Sequence, residues 1–368
     1  MLAKCCCVCK VRVTGQRLER HTCRLHNVEH SLLNLAHHTI VATVDLERRV
    51  SYRADMSRHH GHDHGHIEPP ELINIDDGVF AYVQPDGSWW INNCGILTDG
   101  GDTVIVDTCS TERRTNLLLE TVEQLNSGPI RAVINTHHHG DHTHGNWLTK
   151  PAAIIGHRRC REAILEAGLP NFEGVFEPVD WGNIQLAPPM VTFDEHIDVH
   201  CGDIRAELHY IGTPAHTTND IVIWLPDRKV LYTGDLVFNG GTPFMVMGSV
   251  TGSLAALDRL SEFDADVVVP GHGPVCDLSV IDRLRSYDNF ILDLAQRAMV
   301  DGVSALEAAR ETDLGEFSEL TDSERIVGNL HRAMFELNGA EPGDTMNIVA
   351  AIGDMVAYNG GKPLSCLA

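Results

Sequence analysis

The amino-acid sequence predicts an α/β protein in which helices pack in layers on strands. Short apolar or alternating runs bounded by Gly, Pro, Asn and Asp recur from residue 79 to residue 269, as strands do. Between them stand segments with apolar residues at helical spacing, such as Leu118, Leu119, Val122 and Leu125. Helices alternating with two strand-rich groups indicate α/β layers.

The elements follow in order. Val79–Val83 reads as a strand, with Pro85-Asp86-Gly87-Ser88 as the turn after it. Strands are expected over 92–97, over 103–106 ending at Asp107, and over 130–134, with a helix over 115–125 between the last two. A helix over 158–167 precedes a Pro- and Gly-rich loop. Strands are then expected over 190–193, 204–210, 221–225, 230–232 and 267–269, with a helix over 253–263. Residues 279–338 are mostly helical by pattern; Phe290, Leu294 and Ala298 share one stripe, and Leu330, Met334 and Leu337 another. The polar run Tyr358-Asn359-Gly360-Gly361-Lys362 places the last residues at a surface. Three segments result: 1–70, basic and Cys/His-rich, outside the fold; a catalytic domain over 71–278; and a helical extension over 279–368.

Charge and cysteines bound the function. The net charge of -23 disfavours a nucleic-acid partner, which needs a basic face. Residues 1–55 carry nine Lys/Arg against five Asp/Glu, a balance of +4, so the rest carries -27. This switch makes Met56 an alternative start. No apolar run reaches the length of a membrane span. Five of eleven cysteines (Cys5, Cys6, Cys7, Cys9, Cys23) crowd the first 23 residues and the others are scattered, which suits a reducing, cytoplasmic setting. The tract containing His59, His60, His62, His64 and His66 reads as a flexible leader with incidental metal affinity.

The chemistry concentrates in INTHHHGDHTHGN, residues 134–146. His137, His139, Asp141 and His142 follow the end of an apolar strand, where open α/β sheets place their sites. A loop there can turn close-spaced side chains to one point, whereas a helix would spread His137 and His139 about 200° apart. Imidazoles with a carboxylate suit zinc, iron or manganese. Three further donors follow at expected strand ends: His216 in GTPAHTTND, Asp235 in LYTGDLVF and His272 in PGHGPV.

Together THHHGDHTHGN, PAHTTND, TGD and PGHG resemble the metallo-β-lactamase superfamily, over roughly residues 75–275. The resemblance implies a four-layer αβ/βα sandwich with the site between two sheets. It implies that His137, His139 and His216 hold one divalent ion, that Asp141, His142 and His272 hold a second, and that Asp235 bridges them. Zinc is the first expectation, iron or manganese the alternatives. Asp107 matches an aspartate that orients a metal-bound histidine. His138 and His144 shape the pocket rim.

Two ions about 3.5–4 Å apart can activate one shared water for attack on an electrophilic centre, and Asp141 is placed to orient it. The expected activity is hydrolysis of a small organic ester, thioester, lactone or similar compound, because a bridging Asp235 resembles the glyoxalase II and lactonase-like branches. Hydrolytic cleavage of an aryl ether, such as a nitroaryl methyl ether, is the alternative. A catalytically inactive metal-binding or assembly subunit is the alternative of another class. Phe244, Met245 and Met247, close after Asp235, either line an apolar substrate pocket or pack in the core beside it. A homo- or hetero-oligomer is open, with the helical stripes free to close the mouth of the site, meet a second subunit or pack on the sandwich.

Overall fold

The computed structural model describes residues 68–169 and 171–368. The cysteine cluster, the Met56 start and the histidine tract of 59–66 lie outside the described residues.

Strands β1 (Glu71–Asp76), β2 (Val79–Val83), β3 (Cys94–Asp99), β4 (Asp102–Val106), β5 (Ile130–Asn135), β6 (Ala153–His157) and β7 (Val191–Phe193) form one sheet in sequential order. The β1–β4 neighbours pair antiparallel, β1–β2 and β3–β4 through two-residue turns and β2–β3 through the longer loop 84–93. From β4 to β7 the pairing is parallel. Helix α1 (Glu112–Gln124) crosses from β4 to β5, the short α2 (Gly140–Thr143) lies between β5 and β6, and α3 (Arg158–Ala167) crosses from β6 to β7. Parallel neighbours require such crossovers. Thr111 caps α1, its hydroxyl accepting from Arg114 N–H at 3.2 Å.

The second sheet runs β8 (His196–Cys201), β9 (Ile204–Tyr210), β10 (Ile221–Leu225), β11 (Val230–Phe238) and β12 (Val267–His272). Only β11 and β12 are parallel, bridged by α4 (Val250–Leu260). Alternate side chains of both sheets, such as Val79 and Ala81 of β2 and Ile204, Ala206 and Leu208 of β9, meet in one core between them. Leu118 and Val122 of α1 cover the outer face of the first sheet. Ala256, Leu257 and Leu260 of α4 cover the outer face of the second. The layers are therefore helix, sheet, sheet, helix, as expected.

Helices α5 (Val280–Asp301), α6 (Ala305–Glu311), α7 (Arg325–Leu337) and α8 (Ile348–Tyr358) follow. Leu294, Ala298 and Leu330 are buried in a core of their own with Val250 and Met355. Leu337, by contrast, is exposed. Residues 359–363 are exposed, but the end of the chain turns back inward. Leu364 and Cys366 are buried, and Leu364 N–H donates to Val175 C=O at 2.8 Å. The surface expectation thus holds for 359–363, Ser365 and Leu367 and is corrected for Leu364 and Cys366, whose side chains find cover that the preceding glycines allow them to reach. The six described cysteines are free thiols, and no described helix is long and apolar enough to cross a membrane.

Candidate metal centre and active site

The parallel strands explain where the donors sit. Asp107 follows β4, His137 and His139 follow β5, and His272 ends β12, so all four lie at strand carboxyl ends. Two details differ from expectation. Asp141 and His142 stand on the single helical turn of α2, which brings them beside the loop histidines. Asp235 lies within β11, not beyond it; the pairing with β12 shifts register around Gly234, whose φ of +51° suits glycine. Close approach is needed here too: a Cβ on Gly271 would collide with Asp235 Oδ1.

Each imidazole is aimed by its other nitrogen. His137 Nδ1 lies 3.0 Å from Thr136 Oγ1, and His142 Nδ1 lies 2.8 Å from Asp107 Oδ2. His216 Nδ1 lies 2.5 Å from the Phe244 carbonyl and His272 Nδ1 lies 3.1 Å from that of Gly87. A carbonyl only accepts, so His216 and His272 each donate through Nδ1 and turn Nε2 inward. His139 is reversed: Nε2 faces Met247 Sδ at 3.2 Å and Nδ1 faces the centre.

The inward atoms form two sets. One donor atom each from His137, His139, His216 and Asp235 falls within 4.8 Å of the others, and likewise for Asp141, His142, Asp235 and His272. Asp235 belongs to both. Its Oδ2 lies 3.3 Å from both His216 Nε2 and His272 Nε2, and its Oδ1 lies 3.1 Å from His142 Nε2.

This arrangement fits cations and little else. His137 Nε2, His142 Nε2 and Asp235 Oδ1 are buried without a hydrogen-bond partner; the 3.1 Å approach of the last two is close enough but misaligned for such a bond. His216 Nε2 and His139 Nδ1 face each other at 2.7 Å. Buried polar atoms left in this state are costly. Burial holds His137 and His139 well below the usual histidine pKa, leaving lone pairs free. Burial would raise Asp235, but His272, His142 and His216 outweigh it and keep the carboxylate ionised.

Asp107 supports the centre from behind. It accepts from Thr136 N–H at 2.8 Å and Thr136 Oγ1–H at 2.7 Å while holding His142. Its own φ is +60°, uncommon outside glycine, in a fully buried position.

The Metallo-beta-lactamase superfamily profile matches residues 87–272, which hold all seven donors. The chain belongs to the metallo-beta-lactamase superfamily. It is a hydrolase of that fold. A beta-lactamase-like protein 2 homolog of Caenorhabditis elegans is 27% identical over 229 residues, covering 60% of this chain and 69% of that one. The 2,4-dinitroanisole O-demethylase subunit alpha of a Nocardioides strain is 29% identical over 147 residues, 39% of this chain and 40% of that one. The solved metallo-beta-lactamase of Pontibacter korlensis superposes with a TM-score of 0.51 at 21% identity, over 60% of this chain and 99% of that one, a likeness of fold.

In this superfamily member five of the seven donors, His139, Asp141, His216, Asp235 and His272, open onto a cavity of about 430 Å³. His138, His144, Phe244 and Met247 line it. Met245 does not: it is buried among Ile291, Val327 and Leu330, because its N–H is drawn to Asn329 Oδ1 at 2.9 Å. Of the two readings open for that position, the pocket one is corrected and the core one holds. His138 Nδ1 accepts from Asn219 Nδ2–H at 3.1 Å, and His144 Nδ1–H donates to the Ser110 carbonyl at 3.0 Å. Sequence reasoning missed Asn219 and the aromatic wall of Trp89, Trp90, Phe172 and Phe176. The Trp-Trp pair directly after the Ser88 turn was the available signal.

Proposed function

We propose that the chain hydrolyses a small organic ester, thioester or lactone at a dinuclear metal centre. The observation that carries this reading is Asp235, shared by two buried donor sets at the floor of an open cavity. In it, His137, His139 and His216 would hold one ion, Asp141, His142 and His272 would hold the other, and Asp235 would contribute to both. Ions held there supply Lewis acidity and lower the pKa of water toward neutrality. Zinc suits three imidazoles with a carboxylate, and iron or manganese remain alternatives.

The chain's own residues do the rest. Asp107 fixes the His142 tautomer, and the Gly87 and Phe244 carbonyls fix His272 and His216. Asp141, whose Oδ2 lies 3.2 Å from His272 Nε2, is the carboxylate at the cavity wall and orients the attacking water. Apolar walls limit competing solvent.

The test is a panel of chromogenic esters, thioesters and lactones, run on metal-loaded protein with and without chelator. Chelator-sensitive turnover supports the reading; metal bound at full stoichiometry with no turnover supports an assembly subunit instead. A second reading, cleavage of an aryl methyl ether, is favoured by the aromatic wall and by the O-demethylase relative. Release of methanol from a nitroaryl methyl ether separates it from ester hydrolysis.

A further inference from the structure

The cavity walls bear on the substrate itself. One wall is a chain of aromatic contacts: Phe244 to Trp89 at 5.1 Å, Trp89 to Phe176 at 5.3 Å, Phe176 to Trp90 at 5.7 Å and Trp90 to Phe172 at 4.8 Å. It begins at the donors, since Phe244 lies 6.3 Å from His216 and 6.5 Å from His139. The facing side comes from α8, whose Ile348, Ile352 and Met355 recur at helical spacing and all line the cavity.

Charge is as informative as shape. Among the described residues lining the cavity, Arg325 is the sole cation besides histidines. Both of its terminal nitrogens are engaged, Nη2 with Asp322 at 2.8 Å and Nη1 with the Thr242 carbonyl at 2.9 Å; Nε is buried without a partner, and the guanidinium lies 3.9 Å from the Trp89 ring centre. With a relative exposure of 1%, it offers no surface to a ligand carboxylate. An anionic group on the substrate away from the reacting bond would enter an apolar wall without a partner, at a desolvation cost.

We propose that the substrate is an uncharged ester or lactone whose aryl or medium-chain alkyl group lies along the aromatic wall beneath α8. This rests on the hydrolase reading above and specifies its substrate class. In the reaction water adds to the carbonyl carbon, the acyl C–O bond breaks, and the departing alcohol takes a proton from that water, giving the acid and the alcohol.

The experiment compares 4-nitrophenyl acetate, butanoate and hexanoate with mono-4-nitrophenyl succinate on the metal-loaded full chain. The expected result is a rise in kcat/KM of about threefold to fourfold per added methylene. The succinate half-ester is expected to fall at least tenfold below the butanoate. Ile352→Lys places a cation at the half-buried edge of α8 and should narrow that gap by at least threefold. Phe172→Ala should flatten the chain-length series. Equal or faster turnover of the succinate ester by the wild type would overturn the proposal, as would a flat series.

Binding keeps the two claims apart. Quenching of tryptophan fluorescence by neutral N-phenyl-1-naphthylamine should exceed that by anilinonaphthalene sulfonate at least tenfold in affinity; Ile352→Lys should narrow the difference, and Phe172→Ala should weaken the neutral probe. If this preference holds while no ester is turned over, the hydrolase reading fails and the neutral, apolar ligand class stands. If the anionic probe binds equally well, the ligand class fails whatever the turnover.

Discussion

Asp107 and His142 form the buried pair behind the centre, with Oδ2 and Nδ1 2.8 Å apart and both side chains almost wholly removed from solvent. Thr136 supplies two further donors to the same carboxylate, so Asp107 cannot rotate without losing three contacts. The pair ties the end of β4 to α2, two elements separated by a helix and a strand in the chain.

Asp107→Asn keeps the shape and removes the charge. Carboxylate support of a metal-bound histidine is typically worth about 10–100-fold in metal affinity or activity. We expect a loss of that size in metal affinity, read by competition with a chromophoric chelator. Unchanged affinity would place Asp107 in a purely structural role.

Asp288 on α5 carries a different prediction. Burial pushes its carboxyl up to about 7, against which a Ser253 hydrogen bond and the nearby Arg285 act only in part. The folded state therefore binds this proton more tightly than the unfolded chain does. Its contribution to stability is largest below pH 4 and is lost as pH rises through about 7. Asp288→Asn should remove that loss and gain roughly 2–4 kcal/mol relative to wild type at pH 8, with little difference at pH 4. Urea unfolding of both proteins at the two pH values measures it. A parallel pH dependence in the variant would contradict the assignment.

The chain end is the third case. Leu364 is 1% exposed, lines the cavity and pairs with the 172–176 segment, and Arg114 donates to the Leu367 carbonyl at 2.7 Å. Leu364→Ala should cost about 2–5 kcal/mol. Removing residues 360–368 should lower the thermal midpoint and raise KM for an apolar ester. A truncated chain with unaltered midpoint and KM would show that the segment only rests on the surface.

What the sequence disclosed follows from how local each signal was. Elements with a clear period or apolar run, such as α3, β9 and β10, match their sequence reading residue for residue. The donors were visible because four of them crowd into residues 137–142 and the rest have Gly or Pro close beside them in the sequence. Strand β8 was not, because His196, Asp198 and His200 on its open face give no apolar run. β1 carries acidic residues, and α8 follows a loop rich in turn residues that obscures its start. The aromatic wall had no period at all. Trp89 and Trp90 meet Phe172 and Phe176 only through the packing of two loops distant in the chain.

Asp235 carries the central claim, since one carboxylate shared by two donor sets is the ground for proposing a dinuclear site. The direct measurement is elemental analysis of wild type and Asp235→Asn after metal loading and dialysis against a weak competing chelator. The account predicts two tightly held divalent ions per wild-type chain and at most one in the variant. Equal metal content in the two proteins, or no retained metal in the wild type, would contradict it.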